Sequence, residues 1–87
     1  MRLRARVDTN HVEIVAALRR AGWLVSSLAR QGRGCPDLIC YKAGAGLRLV
    51  EVKTKRGSLT DDQQGWVDAG WPVYVVRSAE EALTVVR

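Results

Sequence analysis

The chain has 87 residues, 47% of them hydrophobic, and a formal net charge of +5. This composition is typical of one small globular domain spanning residues 1–87, and no apolar run approaches the roughly 20 residues that cross a bilayer, so no membrane segment is predicted. A domain of this size buries only about 60 to 65% of its unfolded surface, which favours a homodimer. The positive charge favours a polyanionic partner, although a basic surface can also simply keep a small protein soluble.

The first predicted elements are a helix and a strand. The helix runs from Asn10, a good N-cap, to Arg20, and Gly22 ends it. Its apolar stripe consists of Ile14, Val15, Leu18 and Ala21. A β-prone run over Trp23–Leu28 follows, and a loop rich in glycine and arginine over Ala29–Cys35 comes after it.

A β-hairpin is predicted next. Asp37–Tyr41 and Leu47–Lys53 are β-prone runs, and Lys42–Gly46 between them has the length of a hairpin loop. In an antiparallel pair, the numbers of two residues that lie opposite each other always add up to the same sum. A symmetric loop therefore places Asp37 opposite Glu51, on one face of the sheet.

The rest of the chain predicts a helix, a strand and a closing helix. Thr60 caps the helix, which runs through Ala69 to a stop at Gly70 and turns Trp66 and Val67 inward. The strand over Pro72–Arg77 is rich enough in valine to be buried on both faces, and Ser78 begins a helix that runs toward Arg87. The order α-β-β-β-α-β-α predicts an α/β fold with a mixed four-stranded sheet flanked by helices.

The hairpin gathers three charged side chains. Asp37 and Glu51 share a face, and Lys53 points the same way because side chains alternate along a strand. Two like charges directly opposite one another are destabilising, so the pair needs a cation or a proton. Hard oxygen ligands suit Mg²⁺ or Mn²⁺, which bind through one or two carboxylates and a substrate phosphate.

This arrangement favours metal-dependent hydrolysis of phosphodiester bonds. Lys53 is suited either to orient or deprotonate the attacking water or to neutralise the charge of the transition state. The alternative is structural, because a Glu-x-Lys pair on a strand can be a solvated ion pair and Pro36-Asp37 is an ordinary turn starter.

Cysteine and histidine contribute no competing site. Cys35 and Cys40 would face opposite sides if both lay on one strand, and they are expected to remain reduced. His11 is the single histidine, which argues against a zinc site and against a Cys-His or Ser-His-Asp nucleophile.

Basic residues flank the predicted site on both sides in the sequence. They are Arg30 and Arg33 before Asp37, and Lys55 and Arg56 after Lys53, and we expect them to bind nucleic acid. Arg2, Arg4 and Arg6 form either a further arm that contacts phosphates or a frayed basic terminus. That terminus lacks the apolar segment of a secretory signal, so the protein is expected in the cytoplasm.

The spaced motifs together resemble a known family. They are Gly34-Cys35-Pro36-Asp37-Leu38, Leu49-Val50-Glu51-Val52-Lys53, Leu59-Thr60-Asp61-Asp62-Gln63 with Trp66, then Gly70 and Val75-Val76-Arg77-Ser78. Over most of its length the chain resembles the stand-alone VRR-Nuc domain of the PD-(D/E)XK nuclease superfamily, which implies a restriction-endonuclease-like αβββαβα core. The resemblance departs from the family's Val-Arg-Arg motif at Ser78, which stands where a second arginine is expected.

The resemblance implies a set of site residues. Asp37 and Glu51 correspond to the metal-binding acids, with the backbone carbonyl of Val52 as a further ligand, and Lys53 corresponds to the catalytic lysine. Gln63 is similar to the family's glutamine that lies over the site and bonds the lysine or a phosphate.

Two of these side chains have a second interpretation. Gln63 also completes a Thr60-x-x-Gln63 capping box, and both roles are compatible. Glu13 resembles the acid on the first helix that completes the metal site in many members, but it also fits an Asn10-x-x-Glu13 capping box.

The function that the resemblance implies is a Mg²⁺-dependent, structure-selective DNA endonuclease from a bacterium or a virus-infected cell. Stand-alone members resemble homodimeric Holliday-junction resolvases, so branched or duplex DNA is the expected substrate. Two other functions remain open: a non-catalytic basic module that binds nucleic acid, and a nuclease that uses the same site on RNA.

Overall fold

The computed structural model describes residues 9–87, so Arg2, Arg4 and Arg6 lie outside the described part of the chain. The elements in chain order are helix α1 (Thr9–Arg20), strand β1 (Leu24–Ser27), a 3₁₀ turn (Ala29–Gln31), strands β2 (Leu38–Lys42) and β3 (Gly46–Val52), helix α2 (Asp61–Ala69), strand β4 (Val73–Val76) and helix α3 (Ala79–Val85). Within this range, none of the helices combines the length and apolar character of a membrane span.

The four strands form one mixed sheet in the order β1-β2-β3-β4. β1, β2 and β3 pair antiparallel, whereas β4 pairs parallel to β3. The parallel pair follows from connectivity, because α2 carries the chain back to the end of the sheet at which β3 began. The predicted mixed α/β architecture is therefore confirmed.

The predicted hairpin register is also correct. Ile39 lies opposite Leu49, and Tyr41 lies opposite Leu47. The strand ends differ from the prediction, because Lys42 pairs with Gly46 and shortens the loop, while β2 begins only after Asp37.

One face of the sheet packs against α1 and α3. Buried side chains from both helices meet alternate residues of the strands, and the core consists mainly of Ile14, Leu18, Leu38, Cys40, Val50, Val76 and Ala82. Trp23 stands just before β1 rather than within it, yet it is only 4% exposed and belongs to this core. Cys35 and Cys40 are both free, as expected.

The other face of the sheet is covered less completely. α2 contributes no fully buried side chain: Trp66 is half-buried and Val67 is 37% exposed, so the inward orientation predicted for Val67 was wrong. In β4 only Val76 is fully buried, which corrects the prediction of burial on both faces. The reason is that β4 is an edge strand and α2 shields only part of the sheet.

The N-terminal ends of the helices follow the predicted signals in two of three cases. Thr60 and Gln63 form a reciprocal capping box at α2, and the Ser78 side chain accepts a hydrogen bond from the Glu81 N–H at α3. α1 already begins at Thr9, so Asn10 lies inside the helix and the N-cap predicted there was wrong.

Candidate active site

Asp37, Glu51 and Lys53 meet at one end of the sheet. Asp37 directly precedes β2, Glu51 is the next-to-last residue of β3, and Lys53 directly follows that strand. The hairpin register carries Asp37 toward Glu51, and the Lys53 Nζ atom lies 3.7 Å from the Glu51 Oε2 atom. The three predicted side chains are thus brought together.

The Asp37 carboxylate is held by the backbone of the opposite strand. Its Oδ2 atom accepts a hydrogen bond of 2.8 Å from the Val52 N–H. The Asp37 carbonyl in turn accepts a 2.7 Å hydrogen bond from the Leu28 N–H, just beyond β1. Asp37 is therefore fixed from both neighbouring strands, which orients its second carboxylate oxygen independently of any ligand.

Glu51 is the one charged residue in the described chain that is almost completely buried, with 2% exposure. Its Oε2 atom accepts a 2.9 Å hydrogen bond from the Gln63 amide, whereas Oε1 is buried without a hydrogen-bond partner. Burial and the adjacent Asp37 carboxylate raise the pKa of Glu51 to about 7, although the Lys53 ammonium acts in the opposite direction. The site thus contains a carboxylate with one oxygen available and an unfavourable negative charge.

Gln63 links the second helix to this carboxylate. The oxygen of its side-chain amide accepts from the Thr60 N–H at 2.9 Å, so the nitrogen of the same amide is directed to Glu51. The capping role is confirmed, and the site contact is made with Glu51 rather than with Lys53. The oxygen and the nitrogen of the same side-chain amide thus serve the cap and the contact with Glu51, and a contact between Gln63 and a phosphate stays a prediction.

The Lys53 backbone is held between a strand and a helix. Its N–H donates to the Val76 carbonyl at 3.0 Å, extending the parallel pairing with β4. Its carbonyl accepts a 2.8 Å hydrogen bond from the Asn10 side-chain amide. Sequence analysis interpreted Asn10 only as a helix cap and missed this contact, since no local spacing links two positions so far apart in the chain.

Glu13 does not join the two acids. Its side chain is exposed on α1, and among residues 9–87 no group of three or more His, Cys, Asp or Glu side chains is close enough to hold a metal ion. The contact that α1 makes next to the site comes from Asn10, whose side-chain amide donates to the Lys53 carbonyl. Within this range, Asp37 and Glu51 therefore stand as a pair. The Val52 carbonyl remains a predicted ligand.

The predicted basic flanks are exposed. They comprise Arg30 and Arg33 in the loop before Asp37, and Lys55 and Arg56 in the turn after Lys53. The loop is fixed to α2, because the Arg33 carbonyl accepts from the Trp66 indole N–H at 3.2 Å. Gly34 sits so close to this helix that an added Cβ would lie 2.5 Å from the Asp62 backbone. The loop that carries Arg30 and Arg33 is therefore held against α2.

The donor set fits a hard divalent cation. Every candidate ligand is an oxygen, and a cation beside Glu51 would supply the partner that its Oε1 atom lacks. It would also favour the ionised form of Glu51, offsetting the burial and the repulsion from Asp37 that raise the pKa of this carboxyl. The residues present thus suit Mg²⁺ or Mn²⁺ with water completing the coordination.

A mixed four-stranded sheet flanked by three helices, with acids and a lysine at the end of a hairpin, defines a restriction-endonuclease-like α/β protein. The VRR-NUC domain model matches residues 4–80, and the chain therefore belongs to the VRR-NUC family. This membership indicates a nuclease-type function. No curated protein and no solved structure matches the chain.

Proposed function

We propose that the protein is a Mg²⁺- or Mn²⁺-dependent DNA endonuclease whose active site is formed by Asp37, Glu51 and Lys53. The observation that carries the proposal is the state of Glu51: a buried carboxylate with an unpartnered Oε1 atom, next to a second carboxylate and 3.7 Å from an ammonium group. A purely structural carboxylate of this kind would be costly, because a buried charge with an unsatisfied oxygen destabilises the fold.

The metal ion would be held by Asp37 and Glu51, with the Val52 carbonyl as a further ligand. When bound, it supplies Lewis-acid polarisation of the phosphoryl oxygen and stabilisation of the leaving alkoxide. Asp37 is suited to this because the Val52 N–H already fixes its orientation. Gln63 holds one oxygen of Glu51 and leaves the other free for a ligand.

Lys53 acts on the reacting groups. Its ammonium lies within reach of the carboxylate pair and is partly exposed, so it can contact both the site and an incoming phosphate. There it would orient the attacking water or neutralise the charge that develops on the phosphoryl oxygens. Two hydrogen bonds fix the Lys53 backbone: its carbonyl accepts from the Asn10 side chain, and its N–H donates to the Val76 carbonyl.

DNA is the proposed substrate, and branched DNA such as a four-way junction is the proposed preferred form. Support for a polyanion comes from the net charge of +5 and from the exposed Arg30, Arg33, Lys55 and Arg56 on the two segments that adjoin the acids. Exposed arginine and lysine side chains bind phosphates regardless of the base sequence.

A homodimer would allow two strands to be cut in one encounter. Its proposed interface is the apolar row formed by Leu24, Tyr41 and Leu47, which are 70%, 44% and 63% exposed. The strand register places these side chains next to one another on the sheet face opposite α1 and α3. We propose that a second copy of the chain covers this row, because a domain of this size gains stability when it buries apolar surface.

The proposal is tested by incubating the protein with linear duplex, flap, splayed-arm and four-way-junction DNAs, each with Mg²⁺ or with EDTA. We expect cleavage only with Mg²⁺, and fastest on the junction. Cleavage that is equal in EDTA would contradict metal dependence. Equal rates on all four DNAs would contradict structure selectivity alone. The same panel made of RNA tests whether ribose substrates are cut.

The ion pair between Lys53 and Glu51 is the observation that favours a second candidate, a non-catalytic basic module in which the lysine simply neutralises the acid. Calorimetric titration with Mg²⁺ and Mn²⁺ separates the two. The nuclease proposal predicts saturable binding that Glu51→Gln abolishes, whereas the module predicts no binding above the nonspecific level.

A further inference from the structure

Arg77 lies outside the proposed catalytic set and bonds the turn that follows Lys53. It follows the last residue of β4, and its Nη1 atom donates to the Thr54 carbonyl at 2.9 Å and also to the Gly57 carbonyl. Both acceptors belong to the turn over residues 54–57, which is closed by a hydrogen bond of 3.1 Å from the Gly57 N–H to the Thr54 carbonyl. One guanidinium therefore holds both ends of this turn.

The position of Arg77 is itself tied to the site. Its backbone N–H donates to the Glu81 carboxylate in α3, and the preceding residue, Val76, accepts from the Lys53 N–H. The Arg77 side chain thus connects the strand that pairs with Lys53 to the turn that follows Lys53. An arginine suits this task because its planar guanidinium presents several donors in fixed directions and is always charged.

The turn lies close to the aliphatic part of the Lys53 side chain. An added Cβ at Gly57 would lie 3.0 Å from the Thr54 Oγ1 atom and 3.6 Å from the Lys53 Cδ atom. The turn also carries Lys55 and Arg56, both with exposed side chains. Its conformation consequently decides where two basic side chains stand relative to Lys53.

We infer that Arg77 is a positioning residue that fixes the 54–57 turn and thereby holds Lys55 and Arg56 where they bind the phosphate backbone of the substrate DNA. The inference rests on the proposed nuclease function. It adds that Arg77 acts on substrate affinity through the turn, without contacting DNA itself.

The position of the turn is tested first without DNA. Limited digestion with trypsin reports local opening, because Lys55 and Arg56 are themselves cleavage points. We expect Arg77→Gln to accelerate cutting after these two residues about tenfold at an unchanged melting temperature. Arg48→Gln is the matched control, since Arg48 donates to the Arg87 carbonyl in the same way, at the other end of β3. Equal rates in wild type and Arg77→Gln would overturn the inference.

The link to the substrate is tested by cleavage kinetics on the four-way-junction DNA with Mg²⁺. We expect Arg77→Gln to raise KM about tenfold while kcat stays within about threefold of the wild-type value. When Lys55 and Arg56 are both replaced by glutamine, adding Arg77→Gln should change KM by less than about twofold. The inference would be overturned, in favour of direct phosphate contact, if Arg77→Gln still raised KM in that background. It would also be overturned if Arg77→Lys had the KM of the wild type. If the wild type cuts no DNA, the proposed function fails, while the digestion pattern still decides whether Arg77 holds the turn.

Discussion

At the scale of single residues, Glu51 should make the stability of the protein depend on pH. Its pKa is about 7 in the folded state against an ordinary value of 4.5, so the folded state binds more protons between these values. Stability therefore falls as pH rises from about 4.5 to 7, by on the order of 1–3 kcal/mol. Glu51→Gln should remove this fall, as measured by urea unfolding at several pH values.

Two comparisons sharpen this prediction. Asp68→Asn changes an exposed carboxylate that accepts from Gln64 on α2, and it should leave the pH dependence intact. Millimolar Mg²⁺ at pH 8 should stabilise the wild type but not Glu51→Gln, because ligand binding to the folded state adds to its stability. If the free energy of unfolding changed with pH in the same way in the wild type and in Glu51→Gln, the raised pKa of Glu51 would be contradicted.

Gln63 should matter more for cleavage than for folding. Thr60→Ala removes the side-chain oxygen that accepts from the Gln63 N–H, and it should lower the free energy of unfolding by about 1 kcal/mol with cleavage retained. Gln63→Ala removes the cap contact and also the amide that holds Glu51, so cleavage should fall at least about tenfold. Unfolding and single-turnover rates of both variants provide the comparison. Equal rates for the two variants would show that Gln63 acts only as a cap.

At the scale of elements, the loop before Asp37 and helix α2 should behave as one unit. Gly34 has φ +81° and approaches the Asp62 backbone closely, so Gly34→Ala should displace the loop from the helix and destabilise the protein by about 2–4 kcal/mol. Gly44→Ala is the control: it has φ +89° but open space around it, and should cost only about 1 kcal/mol. Thermal unfolding of both variants tests this, and similar losses would contradict the close contact.

Local patterns were sufficient to predict the elements that carry the acids. The constant sum of paired residue numbers predicted the hairpin register correctly, and Thr60 and Ser78 marked true helix starts. These features depend on residues that are close in sequence or paired across a short loop, where geometry follows from the chain itself.

Contacts between distant elements were not predictable in the same way. Asn10 resembles a helix cap in sequence, but its side-chain amide donates to the Lys53 carbonyl, just beyond the end of β3. The valines of β4 predicted a strand buried on both faces, yet α2 covers that side only partly. Such outcomes depend on how whole elements pack, which a residue pattern does not specify.

At the scale of the whole molecule, the proposed dimer should depend on the apolar row of Leu24, Tyr41 and Leu47. Leu47→Lys should shift the protein from dimer to monomer, because a buried unpaired charge opposes association. Leu83→Lys is the control, since this leucine is 50% exposed on α3. Sedimentation equilibrium measures both. A wild type that is monomeric at micromolar concentration would contradict the proposed interface.

The central claim is that Asp37, Glu51 and Lys53 form a metal-dependent site that hydrolyses phosphodiester bonds in DNA. It is tested most directly by single-turnover cleavage of the four-way-junction DNA in Mg²⁺, with DNA binding measured on the same samples. We predict that Lys53→Gln and Glu51→Gln bind the DNA within about threefold of the wild type but cleave it at least about a hundredfold more slowly. Cleavage by either variant at the wild-type rate would contradict the claim.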